Sequence, residues 1–238
     1  MHGGQLSAPA EGPLSRAAFA ARLDVSRETL ERLTLHLDLL ARWQPAINLV
    51  GRASLADPWR RHVLDSAQLT AHVPPDVGSL VDLGSGAGFP GMVLAIMGMP
   101  NVRLVESDQR KAQFLREVAR ATGTQVVVQA ERAERLAGPP AAVVTARALA
   151  PLPRLLPLVE PFLAADSVCL LLKGAAVSNE LTEAARSWHM VAEMFPSLSA
   201  PAGIVLKLRG IGRACDRQPQ TTAARPGDCD REPERRGR

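Results

Sequence analysis

The 238-residue chain has no tyrosine, and aromatic residues make up only 3% of it. Few side chains are therefore available as platforms on which a base could stack. Cysteine is also scarce. Cys169, Cys215 and Cys229 are too few and too scattered for a disulfide framework or a tetrahedral metal site, so no metal is expected and Cys169 reads as a buried thiol. No uninterrupted apolar run approaches the ~18 residues that a membrane span needs, and Met1 to Pro13 has no apolar signal-peptide core. A cytoplasmic protein without a membrane partner, monomeric by default, is the expectation.

Hydrophobic residues are plentiful at 46%, enough for a sizeable core. Basic residues exceed acidic ones by four, and residues 210–238, with seven arginines against five acidic residues, carry two of that surplus. That segment is rich in Pro, Gly, Asp and Arg and nearly devoid of apolar residues, so burial does not offset the entropy of ordering it. Residues 210–238 are expected to be a disordered tail and 1–13 a disordered N-terminus. A helical region is expected over 14–75 and an α/β domain over 76–209.

The most informative stretch is Ser79–Gly91, an apolar run followed by Gly84, Gly86 and Gly88 at alternate positions. The run reads as a strand. After the glycines, Pro90 suits a first helical position, and Met92, Val93, Ile96 and Met97 supply an apolar face. Strand, glycine loop and helix together suit a nucleotide-like cofactor. A dinucleotide fingerprint opening at Gly84 would need glycine at position 89, where Phe89 stands. Gly86, Gly88 and Gly91 do fit it, two residues later than the strand end favours. The Asp-x-Gly-x-Gly-x-Gly form beginning at Asp82 resembles the first motif of S-adenosylmethionine-dependent methyltransferases.

Toward the N-terminus, Ser26 caps a helix carrying Leu30, Leu33, Leu37 and Leu40 up to Trp43, and Asp57 with Pro58 opens another through Leu69. Arg60, Arg61 and His62 form the one basic cluster of this region and are candidate phosphate contacts. The alternative is surface pairing, Asp65 lying one turn beyond Arg61. After Ser79, strands and helices alternate as in a βαβ sheet. The strands are expected at 79–83, 102–105, 125–128, 141–145, 168–172, 190–195 and 204–208, the last two an antiparallel pair, with a helix over 179–188. Glu106, at the end of the second strand, has the carboxylate that a ribose requires. Residues 129–135 lie where a third strand end would meet an adenine. Arg147 and Lys173 close the fourth and fifth strands on the ligand side, with local pairing to Glu106, Glu134 or Asp82 as the alternative.

The end of the fourth strand reads Thr145-Ala146-Arg147-Ala148-Leu149. It lacks the Asp/Asn-Pro-Pro-aromatic signature used on exocyclic base amines. The cysteine nucleophile that cytosine C5 requires is also missing, Cys169 falling inside the fifth strand. Guanine N7 needs neither, because its lone pair is free and no proton leaves.

Several motifs then occur in order: Asn48-Leu49, Arg61-His62-Val63-Leu64-Asp65-Ser66, residues 81–91, Glu106-Ser107 with Arg110-Lys111, Arg132-Ala133-Glu134, Arg147-Ala148 and Leu172-Lys173-Gly174. From about Trp43 to Arg209 the chain resembles the bacterial 16S ribosomal RNA guanine-N7 methyltransferases, the glucose-inhibited division protein B family. The resemblance implies a class I methyltransferase fold: a Rossmann-like, seven-stranded mixed sheet with an N-terminal helical region. It implies S-adenosylmethionine as methyl donor and a guanine in the 530 loop of 16S ribosomal RNA, free or in the small ribosomal subunit, as acceptor. Cofactor contacts carry over to Gly84, Phe89, Ala133, Glu134 and Arg147, and Glu106 would hold the ribose. Arg147 and Lys173 are the catalytic candidates. Gln44, Pro45 and Ala46 stand where relatives often have lysines. With few aromatics, RNA is expected to be held by charge and shape. The competing expectations are an NAD-dependent oxidoreductase using Gly86, Gly88 and Gly91, and a non-catalytic ribosome-binding protein.

Overall fold

A computed structural model describes residues 12–136 and 138–214. Of the segments expected to be disordered, residues 1–11 and 215–238 lie outside the described residues. The chain opens with α1 (Arg16–Leu23) and α2 (Arg27–Trp43). Ser15 and Ser26 cap them by accepting from Ala18 N and Thr29 N. A third helical run winds wide over Trp59–Leu64, becomes α-helical over Asp65–Ala67 (α3) and tightens over Gln68–His72. The Asp57 carboxylate starts it, accepting from Arg60 N at 3.2 Å and from Leu14 N at 2.9 Å.

The rest alternates strand and helix: β1 (Leu80–Leu83), α4 (Gly91–Ile96), β2 (Val102–Val105), α5 (Gln109–Thr122), β3 (Val126–Gln129), β4 (Ala141–Arg147), α6 (Leu152–Val159), β5 (Leu163–Lys173), α7 (Val177–Ala184), β6 (Trp188–Pro196) and β7 (Ile204–Arg213). They form one seven-stranded sheet in the order β3-β2-β1-β4-β5-β7-β6. The first five strands are parallel, while β7 runs antiparallel to both β5 and β6. This is the mixed seven-stranded architecture expected from the sequence. Order along the sheet reverses between β1 and β4, so the carboxyl ends of β1, β2 and β4 open a crevice at that point.

Three boundaries differ most from expectation: β5 begins at Leu163, ahead of the expected start at Val168, and the other two lie at β6 and β7. Trp188, expected as the end of a helix, begins β6, its 4%-exposed indole under the Arg213 guanidinium at 4.1 Å. β7 continues through Arg213, past the expected limit at Arg209, and Arg213 pairs with Glu160 at 2.5 Å. Ordered structure therefore enters the segment expected to be a tail, because its first residues still find a ladder partner and an ion-pair partner.

Each face of the sheet is covered. Leu80, Leu104 and Val143 point to a layer containing α2, α4 and α5, whereas Val81, Leu83 and Val144 point to α6 and α7. Gly91 sets how closely α4 approaches β1: an added Cβ would lie 2.5 Å from both Asp82 Cβ and Leu104 Cδ2. The helical region is joined to the sheet by rings. Phe89 stacks on His36 of α2 at 4.8 Å between centroids and on His62 at 4.7 Å. Nε2 of His36 donates to the Ala87 carbonyl at 2.8 Å, which leaves Nδ1 as an unpaired buried lone pair. Burial accordingly pushes His36 down to about 4.

Two outcomes follow from this packing. Gly91→Ala is expected to destabilise the fold by about 1–3 kcal/mol through overpacking, read as a lower denaturant midpoint. His36 is neutral when folded down to pH about 4 but protonates near 6.5 when unfolded, so its stabilisation is present above 6.5 and lost as pH falls toward 4. Denaturation of His36→Phe across that window should therefore show a slope of stability against pH reduced by about 1.4 kcal/mol per unit relative to the native protein.

Candidate active site

The turn after β1 is strapped to β2. Gly84 N and Ser85 N both donate to the Val105 carbonyl, at 2.9 and 3.0 Å. Glu106 follows Val105, and its buried carboxylate accepts one amide at each oxygen: Gly86 N at Oε2 and Asp108 N at Oε1, both at 2.8 Å. Each oxygen keeps a lone pair. Gly84 is left-handed at φ 68°, and a Cβ there would lie 2.7 Å from Leu149 Cδ1. A cavity of about 300 Å³ opens over the turn, lined by Gly84, Glu106, Ala133, Glu134, Arg147 and Leu149 among others. Five of the six expected cofactor residues thus meet in one place. Phe89 is the exception: it is absent from this cavity, its ring is 2% exposed between two imidazoles, and it lines a larger adjoining cavity instead.

That second cavity, about 960 Å³, shares Gly84, Arg147 and Leu149 with the first and reaches Arg61 and Lys173. Arg147 lies between them with its guanidinium held by three protein acceptors. Nη1 donates to the Arg61 carbonyl at 3.0 Å and to Asp65 Oδ2 at 3.2 Å, Nη2 donates to His62 Nδ1 at 3.2 Å, and Cζ lies 5.1 Å from the Phe89 centroid. Because a guanidinium only donates, His62 Nδ1 must accept, and His62 Nε2 carries the proton toward Ser54 Oγ at 2.9 Å. Burial, then the Arg147 and Arg61 charges, push His62 down to about 3. The other oxygen of Asp65 accepts from Ser199 Oγ at 2.5 Å, which ties the β6–β7 loop to the same cluster.

This geometry corrects three expectations from the sequence. Asp65 pairs with Arg147 and not with Arg61, because the wide-wound helix turns the Asp65 carboxylate toward the end of β4. Of the basic cluster, only Arg61 stays exposed: Arg60 is held by Asp57 at 2.7 Å and by the Gly12 carbonyl, and His62 is 4% exposed. Arg60 and His62 are thus structural and not open to a phosphate. Lys173, a catalytic candidate, is 9% exposed, and its Nζ is committed to Glu180 at 2.8 Å and to the Ala150 carbonyl at 2.9 Å. Its partner is Glu180 on α7, and none of the three carboxylates proposed for local pairing.

Two groups to which the sequence assigned no contact with a ligand complete the site. Asp82 is fully buried beneath the turn, accepting from Thr145 Oγ1 at 2.8 Å and Gly91 N at 3.2 Å, and burial pushes it up to about 6. Leu149 is half-exposed where the two cavities meet. It follows Ala148, whose φ of 52° costs a residue with a Cβ roughly 1–2 kcal/mol. The exception to the sequence pattern was visible only as an apolar residue after Arg147. Cys169 is buried inside β5 with its thiol pushed up by burial, which removes it as a nucleophile.

Comparison with known proteins agrees with this architecture. The family model described as "GidB: rRNA small subunit methyltransferase G" matches residues 29–203. A protein of Rhodospirillum centenum named ribosomal RNA small subunit methyltransferase G is 56% identical over 193 residues, covering 81% of this chain and 89% of its own. One of the same name from Paramagnetospirillum magneticum is 57% identical over 189 residues, covering 79% and 92%. Among solved structures, the ribosomal protein L11 methylase of Lactobacillus delbrueckii subsp. bulgaricus aligns with a TM-score of 0.50 at 17% identity, over 62% of this chain and 78% of that one. A complex of MtNAS with S-adenosylmethionine gives 0.52 at 16% identity, over 82% and 84%. At such identities the likeness is one of fold. With a family model spanning most of the described residues and relatives more than half identical, the chain belongs to the GidB family of small-subunit rRNA methyltransferases G.

Proposed function

We propose that the protein transfers a methyl group from S-adenosylmethionine to N7 of a guanine in the 530 loop of 16S ribosomal RNA. The observation that carries this reading is the Glu106 carboxylate, pinned by one amide of the glycine turn and by Asp108 N in a cavity that adjoins a larger one. A carboxylate with a free lone pair on each oxygen fits the two hydroxyls of a ribose, so the residues present suit a nucleoside donor. Glu106 would hold that ribose, Ala133 and Glu134 would border the adenine, and the glycine turn would admit the amino-acid end. When bound, S-adenosylmethionine supplies a sulfonium-activated methyl group, which a ring nitrogen with a free lone pair accepts without losing a proton.

The chain's own contribution is alignment and exclusion of water. Holding two reactants in near-attack geometry is worth about 7–11 kcal/mol. Among the described residues, the carboxylates and the imidazole that line the larger cavity are engaged: Asp65 pairs with Arg147, Glu180 with Lys173, and His62 is buried and neutral between Arg147 and Ser54. That set suits an acceptor atom needing no deprotonation. Arg61 is the exposed cation at the mouth of the larger cavity and is placed to meet a phosphate.

Two outcomes check this proposal. Radiolabelled methyl incorporation into small-subunit RNA, followed by chemical cleavage at N7-methylguanine, should place the label at one guanine of that loop; no label, or label in another base, overturns it. Glu106→Ala should weaken S-adenosylhomocysteine binding about tenfold to a hundredfold, the loss of a charge-assisted hydrogen bond worth about 1.5–3 kcal/mol. In a thermal-shift titration comparing S-adenosylhomocysteine with NAD, stabilisation of the native protein by NAD alone would favour an oxidoreductase.

A further inference from the structure

The segment from Arg147 to Leu152 crosses between the two cavities, and it is gripped at both ends by buried charge. At one end Asp65 and the Arg61 carbonyl hold the Arg147 guanidinium. At the other, Lys173 Nζ donates to the Ala150 carbonyl at 2.9 Å, and Glu180 Oε2, itself paired with Lys173, accepts from Leu152 N at 2.7 Å. Between these grips Ala148 adopts a left-handed φ of 52°, a conformation that an L-residue keeps only where its surroundings impose it.

The strained residue sends the next side chain over the glycine turn. Leu149 lies against Gly84, close enough that a Cβ there would be 2.7 Å from its Cδ1, yet it remains 38% exposed. Large exposed apolar side chains among the described residues are Val127, Leu149, Val191, Met194 and Leu198, and of these Leu149 alone lines the cavities. An apolar side chain held open to solvent by buried ion pairs and a strained backbone is poised to be covered by a ligand.

We infer that Leu149 is the apolar contact for the acceptor base: it divides the donor cavity from the larger one and meets the face of the guanine presented to the methyl group. This inference rests on the methyltransferase reading above. A purine ring has two apolar faces and a polar edge. In a chain without tyrosine, whose Phe89 is already sandwiched between imidazoles, a branched aliphatic group is what the site offers to such a face. Arg147 and Lys173 then act through Leu149 as positioning residues, since the hydrogen bonds of both hold the two ends of this segment.

The test compares Leu149→Ala and Leu149→Met with the native protein in three measurements: methyl transfer to small-subunit RNA, S-adenosylhomocysteine affinity, and thermal stability. For Leu149→Ala, kcat/KM for RNA should fall about tenfold or more, the discrimination that a missing apolar contact produces. Donor affinity should stay within about threefold and thermal stability near native, because a half-exposed side chain leaves no core cavity. Leu149→Met should recover most of the transfer. Native-like transfer by Leu149→Ala overturns the inference, as does a loss of donor affinity matching the loss of transfer, which would make Leu149 part of the donor site. Failure of the native protein itself to methylate RNA would instead strike the underlying reading, so the two failures are distinguishable.

Discussion

Within the glycine turn after β1 the amides of Gly88 and Phe89 reach the Ser85 carbonyl, and its other buried amides and carbonyls must find partners elsewhere in the fold. Three supply them. The Val105 carbonyl takes two amides, the Glu106 carboxylate takes a third, and His36 donates to the Ala87 carbonyl. Each comes from a different element, which makes the turn the point at which β2, the acidic loop after it and the N-terminal helical region meet. Removing His36 from α2 would leave a buried carbonyl unpaired, a loss of about 1–3 kcal/mol. The helical region thus lines the larger cavity as well as covering the sheet.

Charge plays a second role, farther along the crevice. The Arg147–Asp65 and Lys173–Glu180 pairs are largely buried, and such pairs gain little net stability over apolar residues of the same size. Breaking one is a different matter, since the orphaned charge costs about 3–5 kcal/mol. That asymmetry gives the pairs their use: they specify one arrangement of the β4 exit, the wide-wound helix and the β6–β7 loop. The strain at Ala148 persists because these grips outweigh it.

The sheet and the donor side of the site were legible in the chain. Four consecutive buried residues in β1, glycines at its exit, and an acidic residue closing β2 are local patterns, each read within a few positions. Helix starts at Ser26 and at Asp57 were equally readable, because capping involves residues two or three apart. The acceptor side was not. Helical spacing paired Arg61 with Asp65, whereas the true partner, Arg147, lies 82 positions away. Spacing also suggested a solvent-facing His62, which instead stacks on Phe89 beneath Arg147. Lys173, at a strand end, had Glu106, Glu134 or Asp82 as its expected alternatives to a free role, whereas α7 brings Glu180 to it.

By itself, then, the sequence determined the order of strands and helices along the chain, the strand ends at which a nucleoside donor would sit, and the lack of an Asp/Asn-Pro-Pro-aromatic signature or a cysteine at the end of the fourth strand. Those depend on periodicity, on glycine and proline, and on which residue types exist at all. Only the tertiary structure decided which charges are spent and which side chain stays uncovered, because these follow from contacts between segments tens of positions apart. No spacing rule reaches that far along the chain, and a charge is free or paired only once its surroundings are in place.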